Sequence, residues 1–254
     1  RYVAAIEFAR GISVMTATKD VEQGLPLLIA GVSLDPQNDV YLQALASAYI
    51  ARANALVSAA GSAPAADIQK KVADAITSAV AFAERATQVN PANAQNWLAL
   101  AEVYAAVAPF NANAASSIVA VYGKAASLDP VNPAIPAYLG NAHLAAKDYV
   151  AALAAFEKSI ALKPDYAPAL FQIGVLHYQA SRMEKAQNVL EQAIRISPDY
   201  ANALYFLGLV YEKQGDHAQA LVQFERVLKL NPENAELKKI MDDIRAGNNT
   251  PKKK

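Results

Sequence analysis

Residues 139–164 read LGNAHLAAKDYVAALAAFEKSIALKP, residues 173–198 read IGVLHYQASRMEKAQNVLEQAIRISP, and residues 207–232 read LGLVYEKQGDHAQALVQFERVLKLNP. Written under one another, the three segments keep the same columns at a spacing of 34 residues. Gly140, Gly174 and Gly208 form one column, and His143, His177 and Tyr211 another. Ala152, Ala186 and Ala220 follow, then Phe156, Leu190 and Phe224, then Pro164, Pro198 and Pro232. Fixed self-similarity of this length marks a repeat architecture, in which each unit buries its apolar face only against its neighbours. Within each unit apolar residues recur at i, i+3, i+4 and i+7, the signature of amphipathic helices, and two helices fit the length.

Moving outward, Pro130 stands 34 residues before Pro164, Pro91 stands 39 before Pro130, and Pro36 stands 55 before Pro91. The unit therefore continues towards the N-terminus with two insertions. Trp97, Leu100, Ala101 and Tyr104 occupy the matching places of the third unit, and Phe8, Gly11, Met15, Gly24 and Leu28 keep the spacing of the first. The small residues fall where helix backbones must approach, so Gly174→Leu is expected to overpack the pair and cost about 1–3 kcal/mol. Ser181 with Glu184, Asp216 with Gln219 and Asp20 with Gln23 have the spacing of capping boxes. Each closing proline lies past the second helix, where it ends the helix and sets the turn.

An aromatic, then Leu-Gly, then Tyr, then Ala, Phe and a closing Pro resembles the tetratricopeptide repeat (TPR) family. The resemblance implies an all-α, right-handed superhelical solenoid of about six helix pairs. The pairs would span 1–36, 37–91, 92–130, 131–164, 165–198 and 199–232, with a capping helix over 233–246, all as one solenoid. The cap would present Leu237, Ile240, Met241 and Ile244 inward and Lys238, Lys239, Asp242 and Asp243 outward. Residues 247–254 are expected to be a flexible basic tail ending in three lysines; Asn248-Asn249-Thr250 also matches a glycosylation sequon. The 21-residue insertion between Tyr49 and Ile76 keeps helical periodicity on both sides of a turn in GSAPAA. About ten extra residues lengthen each helix by roughly 15 Å, giving an arm that either projects or folds back on its neighbours. The shorter insertion, around Ala108-Pro109-Phe110-Asn111, is expected to lengthen an inter-helix loop, and Pro26 to kink the second helix.

Composition narrows the function classes. The 254 residues hold 23 basic and 23 acidic side chains and no cysteine. A neutral balance argues against binding DNA through its backbone. Without cysteine there is no disulfide framework, zinc-thiolate site or thiol nucleophile. The longest apolar run, Leu25 to Leu34, is about half of what spans a bilayer. A chain that opens on Arg1 without methionine reads as a processed product or a segment of something larger. The three histidines show no ligand spacing: His143 and His177 read as packed, semi-polar repeat positions and His217 as solvated. No phosphate loop or nucleophile motif is present. The chain is thus read as non-enzymatic, with no catalytic residue, metal site or cofactor. Charged residues make up 18% of the chain against about 25% in average domains. Only 18 of the 46 charges precede residue 131, and 56 residues are alanine.

The TPR resemblance also implies a concave groove lined by first helices, where extended peptides or helices bind. Carried over by register, its wall comprises Gln95, Leu98 and Glu102; Ala137, Asn141 and Leu144; Phe171, Val175 and Tyr178; and Tyr205, Leu209 and Glu212. TPR members that clamp chaperone C-termini use lysines, asparagines and an arginine. The matching places here hold Leu98, Ala137, Phe171 and Tyr205, and only Asn141 fits, which argues against that partner. Either an apolar partner segment or the chain's own helices would fill such a groove.

ATQVNPANAQNWLALAEVY (86–104) and YGKAASLDPVNPAIPAYLG (122–140), joined by a Pro-Phe loop, and LDPQNDVYLQALASAYI (34–50) more narrowly resemble the C-terminal TPR region of O-antigen-ligase-like membrane proteins of small-genome candidate bacteria. That resemblance implies an extracytoplasmic location, periplasmic, cell-surface or extracellular, with a cytoplasmic one as the alternative. Three functions stay open: a scaffold that self-associates into a homo-oligomer, filament or tube; a monomeric adaptor with an apolar groove; and an accessory module of a membrane glycan-assembly protein. All three have protein partners, with no nucleic acid and no membrane insertion within this segment.

Overall fold

The computed structural model describes residues 1–60, 66–108 and 114–247, with 114–116 as backbone only. Residues 61–65 of the GSAPAA turn, residues 109–111 of the shorter insertion, the sequon and the lysine tail lie outside the described residues. The described residues form thirteen α-helices and no strand. They run as six antiparallel pairs and a last helix: α1 (Tyr2–Thr18) with α2 (Val21–Leu34), α3 (Asp39–Ala60) with α4 (Ala66–Val89), and α5 (Ala94–Val107) with α6 (Ala114–Leu128). Then come α7 (Ala134–Ala145) with α8 (Tyr149–Leu162), α9 (Ala167–Gln179) with α10 (Met183–Ile196), α11 (Ala201–Gln214) with α12 (His217–Leu230), and α13 (Ala235–Arg245). The all-α class and the pair count expected from the repeat are those observed. The helices gather into two compact units, residues 1–130 and 131–254.

In the second unit the repeat columns become contacts. The alanines of the Ala152 column are fully buried, as are Phe156, Leu190 and Phe224. Each of those three lies against the glycine of its own pair. A Cβ at Gly140 would stand 2.6 Å from Phe156, one at Gly174 2.6 Å from Leu190, and one at Gly208 2.4 Å from Phe224. The large residue of the second helix thus occupies the space that the glycine of the first leaves open. Three clusters follow in order, around Phe156, Leu190 and Phe224, and α13 closes the last with Leu237, Met241 and Ile244.

The turns inside these pairs repeat as exactly as the cores. Lys147, Ser181 and Gly215 have φ of 61°, 57° and 82°, in the left-handed region. Asp148, Arg182 and Asp216 then donate their N–H to the carbonyls of His143, His177 and Tyr211, each at 2.9 Å. These are Schellman closures, which satisfy carbonyls left open at a helix C-terminus. Asp148 Oδ1 and Asp216 Oδ1 go on to cap the next helix, accepting from the N–H of Ala151 (3.1 Å) and Gln219 (3.0 Å). The expected box at Ser181 and Glu184 does not form. Ser181 is the left-handed turn residue, so Arg182 takes the N-cap place and offers no acceptor. At Asp20 the carboxylate accepts from the Glu22 N–H (2.9 Å) and from the Gln23 side chain (3.0 Å). Helix α2 runs unbroken through Pro26.

The first unit uses different devices. Helices α1 and α2 approach through Gly11 and Gly24: a Cβ on Gly24 would lie 2.6 Å from the Gly11 carbonyl. Pairs two and three are joined by a polar knot. Asp39 Oδ2 accepts from the side-chain amides of Asn90 (3.0 Å), Asn93 (2.9 Å) and Asn96 (2.9 Å). Asn96 is fully buried, and Gln43 donates to its Oδ1. The long insertion lengthens α3 and α4 to 22 and 24 residues. Their far ends pack on each other through Ala53, Leu56, Ile68, Val72, Ala75 and Ile76.

Candidate protein-interaction site

Helices α7, α9 and α11 carry seven of the nine residues expected to bind a partner, and α5 carries Leu98 and Glu102. In the first unit Leu98 is buried and Glu102 exposed. In the second unit Asn141 is exposed and accepts from the Gln172 side-chain amide at 3.2 Å. Phe171 is buried, while Val175, Tyr178, Tyr205, Leu209 and Glu212 are half-buried.

An aromatic ledge joins α9 to α11. The Phe206 ring is its hub, with ring centres 5.7 Å from Phe171, 5.7 Å from Tyr178 and 5.9 Å from Tyr205. Phe171 also meets Tyr200 at 5.2 Å, and Tyr205 meets Phe224 at 5.9 Å. Edge-to-face and tilted geometries of this kind are the favourable ones. Burial pushes the phenols of Tyr178, Tyr200 and Tyr205 above their ordinary value. The Glu212 carboxylate adds to this at Tyr178, and the Glu236 carboxylate at Tyr205. Each phenol therefore stays a neutral donor at physiological pH. Beside Tyr205 a cleft of about 260 Å³ opens between α11 and α13, lined by Asn202, Asn234, Glu236 and Ile240. Register alone missed Tyr200 and Phe206; the Tyr-Phe pair at 205–206 was the available signal.

The repeat column that carries His143 and His177 in two units carries Tyr104 and Tyr211 in two others, and it is structural. Tyr104 Oη donates to Glu84 Oε1 (2.7 Å) and Tyr211 Oη to Glu191 Oε1 (3.0 Å), each carboxylate lying 20 residues earlier. Burial and the Glu84 contact push Tyr104 up to about 12. His177 is held below its ordinary value by burial, then by Lys185 and Arg182. His217 is exposed. Among the described residues no cluster of His, Asp and Glu could hold a metal ion, and no helix is long and apolar enough to cross a membrane.

A second face stands on α1, where Tyr2, Val3, Ile6 and Ile12 are exposed. On this helix the only charges within Tyr2–Thr18 are Glu7 and Arg10, which pair with each other at 3.1 Å. At the other end of the chain α13 is the reverse, exposing Glu236, Lys238, Lys239, Asp242 and Arg245.

Residues 112–167 and 201–234 match models described as tetratricopeptide repeat, and 177–215 one described as TPR repeat. No curated protein matches the chain in sequence. Among solved structures, PilW, a type IV pilus biogenesis factor, is similar at 15% identity with a TM-score of 0.68, over 95% of this chain and 99% of PilW. MamA is similar at 23% identity and 0.55, over 68% of this chain and 98% of MamA. YrrB, described as a TPR protein with an unusual peptide-binding site, is similar at 17% and 0.53, over 85% and 97%. At these identities the likeness shows the fold. With family-model matches over 112–167 and 177–234 and paired helices throughout the described residues, the chain carries tetratricopeptide repeats and has the all-α fold of TPR proteins.

Proposed function

We propose that this chain is a non-catalytic protein-interaction scaffold that associates with copies of itself. TPR folds present helical faces to protein partners, and the coarse reading rests on that fold. The single observation that carries self-association is the group of apolar side chains that α1 leaves exposed. Apolar side chains grouped on a surface mark a place that another protein surface covers. Here Tyr2, Val3, Ile6 and Ile12 face outward. Light scattering over a range of concentrations tests this. The expected result is a mass that rises above the 27.0 kDa of one chain as concentration increases. A monomer at every concentration overturns it.

The charged outer face of α13 gives α1 no apolar counterpart for stacking head to tail, so a filament or tube needs a contact elsewhere. An extracytoplasmic location, and a role beside a membrane glycan-assembly protein, rest on the resemblance to the O-antigen-ligase-like proteins.

The aromatic ledge favours a second reading, an adaptor that binds an apolar peptide or helix. Phe171 belongs to the core, so the informative variants are Tyr178→Glu and Tyr205→Glu. Under this reading both abolish binding of a fluorescent apolar peptide that the parent chain binds, with the helical circular dichroism unchanged. Equal binding by the variants removes the ledge as the site.

A further inference from the structure

We infer that His177 is an acid-sensitive joint in the repeat stack: on protonation it sets a third positive charge beside Arg182 and Lys185, and the packing of α9 and α10 on α8 loosens. The inference stands on the packing of the second unit and is independent of the partner that the chain binds. Two repeat columns carry it. In the first, Tyr104 donates to Glu84 at 2.7 Å and Tyr211 to Glu191 at 3.0 Å, so a phenol clasps a carboxylate 20 residues earlier on the preceding helix. His177 on α9 stands in the phenol's place, and Glu157 on α8 stands 20 residues before it. Among the described residues the imidazole makes no hydrogen bond to that carboxylate. In the second column, Asp148 and Asp216 follow the left-handed turn residue, and Arg182 takes their place. The exchange reverses the charge at the turn. His143 Nδ1 has Asp148 Oδ2 at 3.9 Å, a carboxylate able to pair with a protonated ring. His177 has a guanidinium in that column instead.

A cleft of about 420 Å³ is lined by Leu153, Glu157, Leu176, His177, Ala180 and Arg182, so carboxylate, imidazole and guanidinium border one space. The charged groups that act on His177 are Lys185 from α10, Arg182 from the turn and Glu157 from α8; α11, which also packs on α9, supplies none among the described residues. Two cations thus oppose one carboxylate. Burial of the half-buried ring disfavours its charged form first, Lys185 and Arg182 add to this, and Glu157 works against them. The folded value therefore lies below the ordinary 6.5 that the ring keeps when the chain unfolds. As pH falls, the unfolded chain takes up this proton first, so stability is lost from about pH 6.5 downward until the folded value is passed. A tyrosine in the same column stays neutral throughout that range. Helix α9 also carries Phe171 and Tyr178, so the joint reaches the aromatic ledge.

Hydrogen exchange of the full chain at about pH 7.5 and about pH 5.5, either side of the histidine range, tests this when protection is expressed against the intrinsic rate at each pH. The expected result is a loss of protection in 167–196 on acidification that exceeds any loss in 201–230. His177→Gln removes the titrating ring, and His177→Tyr restores the residue that the column holds in two other pairs. Each should abolish the extra loss. Arg182→Asp should reduce it, and His143→Gln should leave it unchanged. An equal change in both segments of the parent chain overturns the joint. An extra loss that persists in His177→Gln also overturns it, by assigning the acid response to another group.

Discussion

Lys147 and Ser181 hold the left-handed turn conformation that Gly215 holds at the same place in the last pair. For residues with a Cβ that conformation costs about 1–2 kcal/mol. Lys147→Gly and Ser181→Gly should therefore each raise stability by about 1 kcal/mol in denaturant titration, and Gly215→Ala should lower it by a similar amount. Arg182 stands where Asp148 and Asp216 cap their helices, so Arg182→Asp should gain about 1 kcal/mol by supplying the missing acceptor. Gly208→Ala works in the opposite direction. Its Cβ would meet the buried Phe224 ring, and overpacking of this kind costs about 1–3 kcal/mol. Asp39 gives the pH dependence. Burial pushes its carboxyl up, but hydrogen bonds from the amides of Asn93, Asn96 and Asn90 and from its own backbone N–H hold it below the usual value of 3.8. Its contribution is then complete above that value and is lost as pH falls through the lowered one in the folded chain. Asp39→Ala should reduce the acid sensitivity of unfolding below pH 3.8, read from melting temperatures in a pH series.

At the scale of elements, α3 and α4 depart most from the repeat. The insertion was legible because its two flanks kept the helical period; how far the arm is held by its neighbours was not. Near the pair's base Leu42, Leu45, Ala46 and Ala48 are buried, whereas after Ala53 no residue of α3 is buried. The far ends have Ala53, Val72 and Ala75 as their buried residues, each of them small or of middling size. Local stability follows buried apolar contact. Amide exchange should accordingly be faster in 54–60 and 66–71 than in 42–48; equal protection would show that the arm is braced along its whole length. Helix α1 shows a second limit of sequence reading. Charge counting flagged the first pair as unusual. It could not say which side of α1 faces outward, because Ile6, Phe8 and Ile12 are equally apolar in the sequence, and only the packing of Gly11 on α2 turns Phe8 in and Ile6 and Ile12 out.

At the scale of the whole molecule, the chain divides into two compact units whose cores are built differently. The second closes a regular series of glycine-to-ring contacts, while the first relies on glycine crossings and the Asp39 knot. All three clusters of the second unit draw on residues after 131, and α13 covers the last of them. Residues 131–254 expressed alone should therefore melt cooperatively with a helical spectrum. A non-cooperative melt would show that these repeats need the first unit to fold. The low charge before residue 131 belongs to this scale as well, since it reflects a unit rather than any one repeat.

The repeat period, the helix pairing and the small-to-large columns could all be read from the chain, because each depends on spacing along one helix or between two neighbouring ones. The absence of cysteine, phosphate loops and ligand-spaced histidines could be read the same way, since those chemistries need particular residue types. Three things needed the tertiary structure. Phe171 turned inward to join Phe206 and Tyr200, so the ledge is smaller than the register suggested. Asn96 entered the core because Asp39, 57 residues earlier, reaches it. Tyr2, Ile6 and Ile12 stay exposed because, among the described residues, α1 packs through its other side. Each of these depends on which neighbours a side chain meets in space, and periodicity along the chain does not encode that.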